Sequence, residues 1–268
     1  METTNHLEEK EYNQYKTSAE FYDLDFTATA YDDIEFYLGL VKPYYNEVLE
    51  LCCGTGRISI PFAQNGISVS ALDLSKEMLS IFQIKLADLD REISNRITLI
   101  ESDMATFTLN RKFKCIIIPF HSFQSLTDTF HISQTLQNIG RHLTSDGLFI
   151  LNIFKPLVDM KTIEGVCETK TITNSKGEGI YKKECINTFV DTSNQILYYD
   201  LNYYPFTQSK PIITEHLRAK YYHLHQITEL LDKYNFSIDK VYHGFTENVA
   251  DKIESSELTF VCKKKQLI

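Results

Sequence analysis

What most restricts the fold of this chain is a short apolar run that breaks into two glycines and continues as a helix. Val48-Leu-Glu-Leu-Cys-Cys-Gly-Thr-Gly-Arg57 reads as a buried strand, a turn at Gly54 and Gly56, and a helical pattern ending near Asn65-Gly66, where glycine suits a helix C-terminal cap. Glycines in a strand-to-helix turn let a ligand approach the backbone, and the first N–H groups of the helix point outward toward it. The alternation then repeats. Residues 67–73 read as a second strand, and Ser75 caps a helix that carries Met78, Leu79, Phe82 and Leu86 on one face. Residues 97–100, 114–119 and 148–154 read as strands three to five, with a helix over 130–143 and a turn at Asp146-Gly147 before the fifth. Strands alternating with helices predict an α/β fold with a doubly wound parallel sheet, whose ligand crevice lies beyond the C-terminal ends of the strands. Residues 238–242 and 258–262, after a helix over 225–234, bring that sheet to seven strands.

Two segments depart from the rhythm. Ahead of the first strand, residues 33–42 have helical spacing (Ile34, Tyr37, Leu38, Val41) and stop before Pro43. Within residues 165–222, Gly177 and Gly179 mark a turn, strands at 180–190 and 196–206 flank a polar turn at 191–194, and 212–222 adds another strand. The expected division is an N-terminal helical lid segment over 1–45, a sheet domain formed by 46–164 and 223–268, and a three-stranded antiparallel insert over 165–222 serving as a lid above the active site. Of the 16 tyrosines, seven fall in residues 12–45 and seven in the insert, a set that suits a polar-aromatic lid.

Composition narrows the function. Lys plus Arg is 27 against 36 Asp plus Glu, so the net charge of −9 repels polyphosphate backbones and anionic lipid, and no nucleic-acid or membrane partner is expected. No run approaches the roughly twenty apolar residues of a membrane span. The first 16 residues are polar and acidic, without the features of a secretory signal, so a cytoplasmic protein is expected. The 6 cysteines contain no C-x-x-C pair and sit in apolar runs, which reads as reduced, mostly buried thiols and no metal site.

The glycine turn suits several nucleotide ligands. A dinucleotide fingerprint places a third glycine or alanine at position 59, and this chain has Ser59, which disfavours a pyrophosphate and leaves NAD as the weaker alternative. Asp73, at the end of the second strand, can accept from both hydroxyls of an adenosine ribose. Glu50-Leu-Cys-Cys-Gly-Thr-Gly-Arg57, Ala71-Leu-Asp-Leu-Ser75 with Met78, and Glu101-Ser-Asp-Met104, in this order, resemble the class I S-adenosylmethionine-dependent methyltransferases, with their Rossmann-like sheet. The resemblance implies S-adenosyl-L-methionine as cofactor and S-adenosyl-L-homocysteine as product. It places Gly54 and Gly56 under the methionine part and Glu50 near its amino group. Asp73 is then at the ribose, Leu74 and Met78 face the adenine, and Asp103 accepts from the adenine amine beside the Met104 backbone. The spacing of Met78 equally marks the core face of its helix, and Asp103 also suits a turn. Arg57 pairs with a carboxylate, either the protein's or the cofactor's.

Ile118-Pro-Phe-His-Ser-Phe-Gln124 follows the fourth strand, where the transferred methyl should emerge; Pro119 is counted with the cofactor site and His121 is the candidate general base. The Asn/Asp-Pro-Pro-aromatic pattern of DNA amino-methyltransferases is absent, which argues against a nucleobase acceptor. An N-terminal segment plus a β insert is similar to the amino-sugar and glycine N-methyltransferases, which implies Tyr22 (beside Asp23), His121, Arg218 and Tyr222 on the acceptor side. The expected reaction is in-line transfer of a methyl group to a nitrogen or oxygen of a small metabolite. The alternatives are a macromolecular acceptor docked on the insert and a non-catalytic S-adenosylmethionine sensor. A homodimer stays open.

Overall fold

The computed structural model describes residues 14–26, 33–173, 178–245 and 255–265. Gly177 and residues 1–13 of the polar lead lie outside them. The chain divides into two compact units, Met1–Ala30 with Val158–Tyr221, and Tyr31–Leu157 with Tyr222–Ile268.

The first unit contains helix α1 (Ala19–Phe26). The second opens with α2 (Asp33–Val41), then β1 (Glu47–Leu51), α3 (Ser59–Gln64), β2 (Ser68–Asp73), α4 (Lys76–Ala87), α5 (Arg91–Ser94), β3 (Ile97–Glu101), β4 (Phe113–Ile118), α6 (Thr129–His142) and β5 (Leu143–Phe154). The chain returns to the first unit for β6 (Gly165–Thr173), β7 (Gly179–Asp191), β8 (Ile196–Pro205) and β9 (Ile213–Lys220). It ends in the second with α7 (Leu224–Lys233), β10 (Phe236–His243) and β11 (Glu257–Lys264).

The sheet of the second unit has the order β10-β11-β5-β4-β1-β2-β3, parallel from β5 to β3. Its central strands are apolar on both faces because helices cover both: Val48, Leu49 and Leu51 of β1 and Ile116, Ile117 and Ile118 of β4 are buried. Two of the helices, α4 and α6, start where side chains cap them. Ser75 Oγ accepts the Met78 N–H at 3.2 Å, and Asp128 Oδ1 accepts the His131 N–H at 2.9 Å. Phe62 and Phe82, fully buried, press α3 and α4 into the core, each contributing about 1.5–3 kcal/mol by burial. Strand order reverses between β1 and β4, which fixes the crevice at their C-terminal ends. β11 runs antiparallel to β5, pairing Glu257 with Phe154, so its first residue reaches that same edge.

Three expectations change. The helix of residues 33–42 belongs with the sheet and not with the first 30 residues, since Tyr37 and Val41 are buried in the same cluster as Val48 and Phe62. Asp146-Gly147 makes no turn ahead of the fifth strand. β5 starts at Leu143, and the register jumps from Phe113↔Leu143 to Cys115↔Leu148, so residues 144–147 bulge within it. The insert has four antiparallel strands, β6-β7-β8-β9, because Gly165–Thr173 pairs along β7. The core of that unit gathers Phe21 of α1 with Ile172, Leu201, Tyr203 and Leu217. Among the described residues no helix is long and apolar enough to cross a membrane.

Candidate active site at the C-terminal edge of the sheet

Backbone strain collects at this edge. Cys52, just past β1, has φ 61°, and Phe120 and His121, just past β4, have φ 51° and 59°. Non-glycine residues seldom adopt positive φ, and such residues cluster where a site needs a loop held in one shape. The two glycines of the first turn have different reasons to be glycine. At Gly54, φ 56°, an added Cβ would meet nothing within 4 Å, so the backbone opens on free space. At Gly56, φ 85°, it would lie 2.2 Å from Phe82 Cε2. Of the pair expected beneath the methionine part, Gly54 alone presents open space; the missing side chain of Gly56 makes room for Phe82.

The turn is tied to β2 through Asp73. The Gly54 N–H donates to Asp73 Oδ2 at 2.7 Å and the Ser75 N–H to Oδ1 at 2.9 Å. Burial pushes the Asp73 carboxyl up, against the pull of the N–H groups of Ser75, Gly54 and Leu74. Glu50, at 1% exposure, accepts from the Ser59 hydroxyl, and burial raises its pKa to about 8. Ser59, noted as the residue that spoils a dinucleotide fingerprint, is thus the partner that satisfies this buried carboxyl. Leu74 is half-buried and Met78 buried. Asp103 Oδ1 accepts the Ala105 N–H at 2.7 Å, which makes it a turn former with its other oxygen outside that bond. Met104 is buried, its sulfur 3.5 Å from Cys52 Sγ, which joins the loop after β3 to the end of β1.

Arg57 resolves toward the protein. Its two guanidinium nitrogens donate to Asp33 at 2.9 and 2.6 Å, and the same group lies 4.9 Å from the centre of the Phe120 ring. Its fork is therefore turned to α2 and the β4 loop, where the fully buried Asp33 needs a cation close by. The Pro119 carbonyl accepts from the Ser122 N–H and hydroxyl at 3.2 and 2.9 Å and starts the turn that aims His121.

His121 Nε2 lies 2.6 Å from Glu257 Oε2, both side chains about 30% exposed. Buried Asn152 on β5 holds the pair. Its Oδ1 accepts the His121 N–H at 3.2 Å, while its Nδ2 reaches Thr259 Oγ1 at 3.1 Å and Glu257 Oε2 at 3.3 Å. Gln124 grips the Phe154 backbone from both ends of its amide, 2.6 Å to the N–H and 2.9 Å to the carbonyl. Sequence reasoning missed Asp33, Asn152 and Glu257. Asp33 reads as a helix start and Asn152 as a strand residue, and Glu257 is 136 positions from the histidine it meets. Tyr222 is buried, its hydroxyl without a partner, its ring stacked on Phe123 at 6.2 Å. Tyr22 and Arg218 belong to the first unit, where Tyr22 meets Tyr15 edge-on at 5.5 Å and the Arg218 carbonyl accepts from Gln14 at 2.8 Å.

Glu50, Asp73 and Asp103 place carboxylates at three neighbouring strand ends, a poor cradle for a pyrophosphate and a good one for a cation with hydroxyls and an amine. S-adenosyl-L-methionine carries a sulfonium, an ammonium, a ribose diol and an adenine amine, and the open backbone at Gly54 gives it room; these residues fit it. Fold and crevice together define a Rossmann-like S-adenosylmethionine-dependent methyltransferase.

Comparison with known proteins agrees. Residues 48–147, from β1 to the bulge of β5, match the family described as "Methyltransferase domain". YqeM of Bacillus subtilis (strain 168), named as a methyltransferase without an acceptor, is 23% identical over 95% of this chain and 98% of its own. The dTDP-3-amino-3,4,6-trideoxy-alpha-D-glucopyranose N,N-dimethyltransferase of Streptomyces venezuelae is 28% identical over 50% of this chain and 55% of its own. The fold recurs in the CcbJ methyltransferase of Streptomyces caelestis, with a TM-score of 0.79 at 18% identity over 95% of this chain and 99% of that one. Residues 48–147 thus form a methyltransferase domain, and the chain is an S-adenosylmethionine-dependent methyltransferase.

Proposed function

We propose that the acceptor is an amine nitrogen of a small polar metabolite, and that the His121–Glu257 pair receives the proton that methylation releases. The observation that carries this reading is the 2.6 Å contact between the two side chains, held at the end of β4 by Asn152. An alkylamine is protonated near neutral pH, so one proton must leave before the lone pair can attack, and the methylated product keeps its remaining proton as an ammonium. An imidazole suits that task, and a carboxylate against its far nitrogen stabilises the imidazolium it becomes. Glu257 is then a positioning residue. Bound S-adenosylmethionine supplies the methyl group on a sulfonium leaving group. The protein's share is to hold the amine in line with it and exclude water, worth about 7–11 kcal/mol of barrier.

Nitrogen is favoured over oxygen because relatives named for their acceptors, from Streptomyces venezuelae and Streptomyces fradiae, are named as amino-sugar N,N-dimethyltransferases. On the cofactor side, Asp73 takes the ribose, Leu74 and Met78 the adenine face, and Asp103 with the Met104 backbone the adenine amine. Tyr222, with its unpartnered buried hydroxyl, is an acceptor contact. Tyr22 and Arg218 are further acceptor determinants from the first unit, with effects expected on KM. The net charge of −9 supports a reading without nucleic acid.

The test supplies labelled S-adenosylmethionine with a panel of amino sugars and other small amines, reads added CH₂ by mass spectrometry, and uses Asp73→Ala as control. Label on an amine that vanishes in the control supports the proposal. Label in protein or RNA fractions, or cofactor binding without transfer to any amine, overturns it. Glu257→Gln keeps a hydrogen bond to His121 and loses the charge; kcat should fall about ten- to a hundredfold with KM and cofactor affinity unchanged.

A further inference from the structure

Of the 6 cysteines, Cys53, Cys115 and Cys262 are buried, and burial pushes their thiols above the ordinary range. Cys167 and Cys185 differ. They lie on adjacent antiparallel strands of the four-stranded sheet, where the register passes from Val166↔Ile186 to Glu168↔Cys185, so Cys167 is the extra residue of a bulge opposite Cys185. In such a bulge two consecutive residues share one partner, and residues paired across antiparallel strands have Cα atoms about 4.5–5.5 Å apart, within the roughly 4.4–6.8 Å that a disulfide spans. Cys167 Sγ sits 3.3 Å from the Cys185 carbonyl oxygen, which brings its thiol up against the backbone of its partner. Cys167 is exposed and Cys185 half-buried. The charged neighbours are Glu168 and Lys183, joined at 3.3 Å.

We propose that Cys167 and Cys185 are a redox-active pair that closes to an intramolecular disulfide by exchange with a low-molecular-weight disulfide, stapling edge strand β6 to β7. The thiol of Cys185, donating to the Cys167 sulfur, stabilises the thiolate and brings the Cys167 pKa down to about 7, with Lys183 adding to the pull. The thiolate is the attacking form. It attacks one sulfur of the small disulfide, forms a mixed disulfide and expels the other half as a thiolate, which takes up a proton as a thiol. The Cys185 thiol is held high first by its hydrogen bond to Cys167 and then by burial. The mixed disulfide removes the negative charge beside it. Cys185 then loses its proton, attacks the Cys167 sulfur, and expels the second half, which leaves as a thiol with that proton. The two cysteines are oxidised by two electrons and the small disulfide is reduced to two thiols.

The full-length protein would be incubated near pH 7 in oxidised glutathione, then alkylated, weighed and peptide-mapped. The expected product has lost two hydrogens and has a cross-linked peptide pair containing Cys167 and Cys185. In Cys185→Ser the reaction should stop at a glutathione adduct on Cys167, and Cys167→Ser should form neither. Amide exchange over Gly165–Thr173 should slow in the oxidised protein. A wild-type protein that accumulates the same stable adduct as Cys185→Ser, or that stays fully reduced where exposed thiols of a control protein react, overturns the proposal. Serine is nearly isosteric at both positions, and the unmodified stability of each variant, checked by thermal melting, separates exchange chemistry from misfolding.

Discussion

Gly56 shows how one residue can be readable in the sequence while its reason is not. A glycine turn after a strand announces a ligand, yet this glycine stands against the ring of Phe82, and its φ of 85° adds strain for any other side chain. Gly56→Ala should destabilise the protein by about 1–3 kcal/mol in urea denaturation; a change within about 0.5 kcal/mol would mean that the ring simply turns aside. Glu50 makes a second prediction at this scale. Its carboxyl titrates near 8 in the folded protein and near 4.5 when exposed. Between those values the unfolded chain has lost a proton that the folded chain keeps, so stability falls as pH rises from about 4.5 to about 8 and levels off above. Glu50→Gln, which retains an acceptor for Ser59, should flatten that part of the melting-temperature profile. In the parent protein, stabilisation by the cationic cofactor should grow over the same window, because a nearby positive charge favours the ionised carboxylate. A parent profile that is flat from 4.5 to 8 would refute this assignment.

Among the elements, the junction of β4, β5 and β11 depends on Asn152. One amide ties the strained His121 backbone to the start of β11, and truncation strands several buried polar groups. Asn152→Ala should cost about 1–3 kcal/mol and lower kcat as well, since His121 and Glu257 lose their common tether; equal activity with equal stability would show that the loop holds its shape unaided. The parallel strands and the cap at Ser75 were legible because burial on both faces leaves unbroken apolar runs between turn signals. β6 was not, since Gly165–Thr173 is almost wholly exposed, with Ile172 its only buried residue, and an exposed edge strand carries little alternation. The bulge at Asp146-Gly147 was read as a turn for the same local reason. Those two residues favour a chain reversal wherever they occur, and only the pairing with β4 on both sides of them, at Leu143 and Leu148, shows the strand continuing through them.

At the scale of the whole chain, the first unit is assembled from segments far apart in sequence. The Thr17 and Ser18 N–H groups both donate to Glu215 Oε2 at 2.8 Å, across separations of 198 and 197 residues. A carboxylate that caps a distant segment leaves no mark in a local pattern, so the sequence could suggest a tyrosine-rich N-terminal piece and a tyrosine-rich insert but not their joint core around Phe21. Glu215→Ala should expose residues 14–26 to limited proteolysis while the melting of the sheet unit, followed by amide exchange, stays in place. Simultaneous loss of protection in β1 and β4 would show that the two units unfold together.

The antiparallel course of β11 also sets an order of events during synthesis. The glycine turn, Asp73 and Asp103 leave the ribosome early, whereas Glu257 follows on the order of ten seconds later at ordinary elongation rates. A growing chain can thus acquire its nucleoside pocket while the histidine at the mouth still lacks its carboxylate. On the proposed mechanism, the full rate of methyl transfer then waits for β11.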